Sequence, residues 1–161
     1  MSVATGGHRA GPAATALHDA PGASAPATAT GGATVVSPVA ARIVVESRTG
    51  EGLAARATAE LHETEPVFAG HYPGFPIFPG VCVLECVRRA ALDADPASAP
   101  GTLAAVESAR FSGAVYPGDT LQLALTWQHT GTAWRCKATA TTSRGPAARV
   151  RLRFEPAGGA R

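Results

Sequence analysis

Only one stretch of this chain, Gly80 to about Ala94, carries apolar residues at helical spacing: Val81, Leu84, Val87, Ala91 and Leu92 recur three or four positions apart. Asp95-Pro96 closes it, because the residue before a proline is pushed out of the helical region. Almost everything else from Ala40 onward alternates. Ile43-Val44-Val45 makes a short apolar strand, and Leu53 to Leu61 sets Leu53, Ala55, Ala57, Ala59 and Leu61 against Arg56, Thr58 and Glu60. Beyond the helix, Leu103 to Phe111 reads as a strand, and Tyr116-Pro117-Gly118-Asp119 turns into another with Leu121, Leu123, Leu125 and Trp127 inward. Thr130-Gly131 sends the chain back through Trp134, Cys136, Ala138 and Ala140. The last strand puts Val150, Leu152 and Phe154 inside and Arg149, Arg151 and Arg153 outside. One long helix, two strands before it and four after, predicts an α+β domain in which an antiparallel meander curves around the helix.

The chain of 161 residues has room for one such domain. Residues 1–38 are Ala, Gly, Thr, Ser and Pro with almost no large apolar side chains, which predicts a disordered tail, a domain over 39–157 and a flexible end at 158–161. A net charge of +2 is too small to argue for nucleic acid or a membrane surface. There is no apolar run long enough to span a bilayer and no secretory pattern at the start, so a soluble, cytoplasmic protein is expected. Three cysteines, Cys82, Cys86 and Cys136, cannot all pair, and small buried thiols in a reducing compartment are the expectation.

Chemistry concentrates in Gly70-His71-Tyr72-Pro73-Gly74-Phe75-Pro76-Ile77-Phe78-Pro79-Gly80-Val81, with Glu85 one turn into the helix. Prolines at 73, 76 and 79 fix φ at each position, so His71 is presented by a stiff loop. Histidine exchanges a proton near neutral pH and a carboxylic acid can give one, so the pair suggests acid–base catalysis. Taken singly, a loop histidine more often hydrogen-bonds a turn, and a helix glutamate is more often a surface acid. His62-Glu63 lacks a following histidine at metalloprotease spacing, His129 reads as a solvated turn residue, and there is neither a nucleophile elbow nor a phosphate loop.

Gly70-His71-Tyr72-Pro73-Gly74, Pro76 to Val81 and Leu84-Glu85 together resemble the signature of the 3-hydroxyacyl-acyl-carrier-protein dehydratases. A second block agrees, Val106-Glu107-Ser108-Ala109-Arg110-Phe111 followed by Val115-Tyr116-Pro117-Gly118-Asp119. The resemblance covers about residues 40 to 156. It implies the hot-dog fold and a dimer whose active sites straddle the interface, histidine from one subunit and carboxylate from the other. It further implies an acyl-carrier-protein thioester as substrate and no metal or redox cofactor. His71 then is the base for the C2 proton and Glu85 the acid for the departing hydroxyl, provided burial among apolar neighbours keeps its proton on. Gly80 and Val81 at the helix start, Arg89, and Phe111 are the expected substrate-binding residues, with the Gly80 N–H donating to the thioester oxygen. Glutamate rather than aspartate at position 85 places the chain nearer the plain dehydratase branch than the dehydratase–isomerase branch.

The chain departs from the pattern in two places. Arg89 stands where the family has glutamine, four positions after Glu85 and within reach of it, where a guanidinium would favour the ionised carboxylate. Ser112-Gly113-Ala114 replaces the basic residues that often follow Arg-Phe, which puts the usual carrier-docking patch in doubt. Outward Arg149, Arg151 and Arg153 fit either an acidic carrier protein or an ordinary exposed strand face. Two alternatives stay open beside a homodimeric dehydratase: a non-catalytic or half-site subunit paired with a paralogous dehydratase, and a hot-dog acyl thioesterase.

Overall fold

A computed structural model describes residues 37–49, 53–72, 74–94, 96 and 101–156. The tail expected over residues 1–38 therefore lies outside the described residues except for Ser37 and Pro38, as do Pro73 and residues 157–161. Six strands follow the alternation: β1 (Ile43–Thr49), β2 (Ala54–Glu60), β3 (Thr102–Phe111), β4 (Thr120–Thr130), β5 (Ala133–Thr142) and β6 (Gly145–Glu155). A single turn of helix, α1 (Val67–Gly70), precedes the main helix, α2 (Gly80–Asp93). All strands pair antiparallel in the order β1-β2-β4-β5-β6-β3. The chain thus leaves the sheet after β2, crosses through α2, and re-enters at the far edge as β3. Gly131 at φ +63° and Gly145 at φ +119° make the two tight hairpins, conformations that side chains with a Cβ rarely adopt.

The sheet's inner face is the one expected, with Leu121, Leu123, Leu125, Trp127, Cys136, Ala138, Ala140, Val150, Leu152 and Phe154 buried. Leu53 is an exception: it lies ahead of β2 and is exposed, while Ala55, Ala57, Ala59 and Leu61 carry the buried face. The helix differs more. Its buried seam is Cys82, Val83, Cys86, Val87, Ala90 and Ala91, whereas Val81, expected inside, is 69% exposed and Leu84 and Leu92 are only partly covered. The expected stripe overlaps the seam at Val87 and Ala91, and Leu84 and Leu92 pack at its edge, but the seam is turned toward Cys82, Val83, Cys86 and Ala90. Side chains no larger than valine line the face where α2 packs on β1, β4, β5 and β6. Val81 is left outside the seam and Leu84 packs at its edge. All three cysteines are free and buried, and burial pushes the Cys86 and Cys136 thiols up to about 12. They fill space and are poor nucleophiles.

Candidate active site

His71 follows α1 directly, in extended backbone. Its Nδ1 lies 2.9 Å from the carbonyl oxygen of Ile77. A carbonyl only accepts, so Nδ1 carries the proton and donates, leaving the Nε2 lone pair free to act as a base. The loop reaches this geometry through a left-handed kink. Tyr72 sits at φ +54° and Gly74 at φ +85°, and the Tyr72 ring meets the imidazole edge-on with centroids 4.5 Å apart. A non-glycine residue in that region costs energy unless its surroundings hold it there. Phe75 N–H donates to Tyr72 O at 3.0 Å and closes the turn.

The loop leads straight into α2. Pro79 is the residue before the helix, and Cys82 and Val83 N–H both donate to its carbonyl at 2.9 and 3.1 Å. The N–H groups of Gly80 and Val81 precede the first intrahelical bond, so they point out of the positive end of the helix and can receive an anionic oxygen. Over Gly80 lies the ring of Phe111, at the end of β3: a Cβ added to Gly80 would sit 3.1 Å from two of its ring carbons. Two expected substrate-binding residues from distant parts of the sequence are thereby in contact at the helix start. Val81 stands beside them, exposed to solvent.

Glu85 is arranged differently from the expectation. Its side chain is 15% exposed and accepts from Arg88 at both oxygens, Nε to Oε2 at 2.6 Å and Nη2 to Oε1 at 2.8 Å. Ser37 Oγ donates to Oε1 at 2.9 Å. The Arg88 hydrogen bonds hold the carboxyl below the usual glutamate range; burial opposes this, and the Ser37 bond and the charges of Arg88 and Arg89 add to it. Burial alone was expected to raise it, and the donors outweigh burial. Arg89, within reach of Glu85 by spacing, turns away from it and donates from Nη1 to Val39 O at 3.0 Å, pinning the segment ahead of β1. The neighbour that reaches is the one three positions on, which shares the helix face with Glu85 just as position 89 does. Ser37 was missed outright, since nothing in a Ser-Pro dipeptide upstream of the domain signals a contact 48 residues away.

Among the described residues, no hydrogen bond or ion pair joins His71 to Glu85 within one chain. No cluster of three or more metal-ligating side chains occurs among them, and no helix among them is long and apolar enough to cross a membrane.

The family model of the ApeI-like proteins, described as ApeI dehydratase, matches residues 46–146. The 3-hydroxyacyl-acyl-carrier-protein dehydratase FabZ of Myxococcus xanthus is 38% identical over 106 residues, covering 61% of this chain and 68% of that protein. The FabZ of Thermus thermophilus is 49% identical over 65 residues, 37% of this chain and 46% of that one, so this second match spans about half of its relative. Among solved structures, the dehydratase heterocomplex ApeI:P from Xenorhabdus doucetiae superposes with a TM-score of 0.57 at 20% identity, covering 71% of this chain and 98% of the other. That likeness establishes the hot-dog fold.

Proposed function

Because this chain belongs to the ApeI-like dehydratase family, we propose that it removes water from 3-hydroxyacyl thioesters on an acyl carrier protein to give trans-2-enoyl thioesters, with His71 as base and Glu85 as acid. The observation that carries the reading is the bond from His71 Nδ1 to Ile77 O, which leaves Nε2 basic in a stiff loop feeding a helix start. Nε2 takes the C2 proton, and the C–H electrons move toward the thioester carbonyl, whose growing negative charge is met by the Gly80 and Val81 N–H groups. Those electrons return to form the C2–C3 double bond as the C3–O bond breaks. The leaving oxygen takes a proton from a carboxylic acid and departs as water. Proton return from the imidazolium to the carboxylate, through solvent, resets the site. Electrons balance without any redox partner.

The carboxylic acid comes from a second subunit, as Glu85 of an identical copy or as the matching acid of a paralogue. The absence of a His71–Glu85 bond within one chain supports that arrangement. So does the exposed apolar group at the site, Tyr72 and Phe75 in the loop, Val81 on the helix and Phe111 at the strand end. Whether the second subunit is an identical copy or a paralogue is where the Arg88–Glu85 pair matters. In an identical copy, Glu85 must be released from Arg88 before it can give a proton; the bidentate pair is what supports the second reading, a half-site role in which the chain supplies His71 and a paralogous partner supplies the working acid. The carrier protein as partner is supported by the outer face of the sheet. Arg110 pairs across strands with Arg149 and Lys137 with Arg151, around a groove of about 500 Å³, and among the described residues none of the four is ion-paired. Like charges placed directly opposite one another cost stability unless an anion meets them. The cytoplasm is the compartment that goes with this reading.

Incubating the purified chain with a 3-hydroxyacyl carrier protein and following mass separates the readings. Loss of one water supports a self-sufficient dehydratase, and turnover only after a paralogue is added supports the half-site subunit. Free acid would mean a thioesterase.

A further inference from the structure

Among the described residues, a single backbone hydrogen bond ties the loop between His71 and Pro79 to the body of the fold: Phe78 N–H to Val115 O at 2.7 Å. Val115 is buried, in the connection from β3 to β4. The N–H of that same peptide group belongs to Tyr116 and donates to Asp119 Oδ2 at 2.9 Å. On the loop side, the peptide group that contains the Phe78 N–H also contains the Ile77 carbonyl, the acceptor of His71 Nδ1. A peptide group is planar, so fixing its N–H fixes the direction of its C=O. Two rigid planes therefore link the Asp119 carboxylate to the imidazole, and each bond is polarised in the same sense by the carboxylate at its end.

Asp119 itself is built in. Its side chain is 5% exposed, its backbone carbonyl accepts from Leu61 N–H at 3.0 Å, and its N–H donates to Tyr116 O at 3.1 Å. Arg144, from the turn between β5 and β6, donates from Nη2 to Oδ1 at 3.0 Å and lies 5.0 Å over the Tyr116 ring. Phe75 of the loop packs against the same ring nearly at right angles, with centroids 6.0 Å apart.

We infer that Asp119 is a positioning residue for His71, acting through the Val115–Tyr116 and Ile77–Phe78 peptide groups, with Arg144 compensating its buried charge. This rests on the reading of His71 as the base. The test compares Asp119→Ala with Asp119→Asn in the full chain, with its partner subunit if turnover requires one. Asp119→Ala removes the acceptor of the Tyr116 N–H and is expected to lower kcat on the order of tenfold, as small misplacements of a reacting group do, with KM nearly unchanged. Asp119→Asn keeps an oxygen in place and is expected to recover most of that loss. Nitrogen-15 NMR of His71 supplies a readout that simple destabilisation would not move: the Nδ1-protonated tautomer persists in Asp119→Asn and is lost in Asp119→Ala.

A folded Asp119→Ala with normal kcat and an intact Nδ1–H signal overturns the inference. So does an Asp119→Asn as impaired as Asp119→Ala, which would assign the effect to the Arg144 ion pair alone. Should Asp119→Ala fail to fold, the wild-type protein decides: the Tyr116 and Phe78 amides and the His71 Nδ1–H must exchange with one common protection, and independent exchange refutes the relay. Were His71→Ala to stay active, the functional reading would fall, yet the tautomer measurement would still judge the relay.

Discussion

Replacing Arg88 by glutamine tests what Glu85 does more directly than replacing Glu85. The pair is bidentate, with side chains 34% and 15% exposed. Fully exposed pairs contribute less than about 1 kcal/mol and hydrogen bonds to charged groups about 1.5–3 kcal/mol, so a half-sheltered fork falls at about 1–2 kcal/mol. That energy favours the ionised carboxylate, and removing it raises the protonated fraction of Glu85 at neutral pH by about 5- to 30-fold. If Glu85 is the general acid and proton donation limits turnover, kcat/KM at pH 7–8 rises by up to that factor, and the alkaline limb of the pH profile moves to higher pH. Stability moves the other way. A carboxyl held below its ordinary value stabilises the fold above that value, and the contribution is lost as pH falls through the folded-state value. Arg88→Gln is therefore about 1–2 kcal/mol less stable at pH 7, roughly 4–8 °C in Tm, with the gap closing in acid. The assay is enoyl product by mass across pH, alongside thermal melts at pH 7 and pH 3. An unmoved alkaline limb with a pH-independent Tm difference would refute the reasoning, and unmoved activity with the expected stability change would make the pair purely structural, as the half-site reading requires.

His71→Ala should abolish water loss to below about 1% while leaving Tm within a few degrees, since the Ile77 bond is one hydrogen bond of about 1 kcal/mol; most activity retained would remove the base assignment. Gly80→Ala places a methyl against the Phe111 ring, and because that ring is half-exposed and can shift, the variant folds but loses on the order of tenfold in kcat/KM as the ring closes over the helix start; adding Phe111→Ala should recover much of it, a coupling measurable by a double-mutant cycle. Arg149→Glu with Arg151→Glu should raise KM for carrier-bound substrate on the order of tenfold at low salt and spare a short carrier-free thioester; equal loss on both substrates would rule out carrier docking at that face.

The strands were legible because alternation on a half-buried sheet is a binary signal. Leu121 to Trp127 could be assigned to the core from their spacing alone. The helix was legible in extent and partly in orientation: Val87 and Ala91 lie in the seam, but its centre is turned toward Cys86 and Ala90 and away from Val81, because small residues such as Cys and Ala add little to an apolar pattern read from sequence. His71 was legible because its neighbours are prolines and glycines whose backbone constraints are local. Glu85's setting was not, since one of its donors, Ser37, arrives from another part of the chain, and the choice between Arg88 and Arg89 turns on Val39 offering Arg89 a carbonyl. The route from Asp119 to His71 was hidden for a related reason. Its links are backbone groups, and any sequence would have them.

The cysteines in the helix–sheet seam give the chain an internal clock. Cys82 and Cys86 face the sheet from α2, and Cys136 sits in the central strand β5. A thiol-modifying reagent can reach none of them while α2 is seated, so labelling proceeds at the rate or population with which the helix lifts away. If Cys82 and Cys86, on the helix, label ahead of Cys136, α2 detaches as a unit while the sheet persists. If all three label together, the fold opens only as a whole. A partner subunit or a carrier-bound substrate that settles against α2 would slow the clock, reporting engagement through the chain's own thiols with no residue substituted.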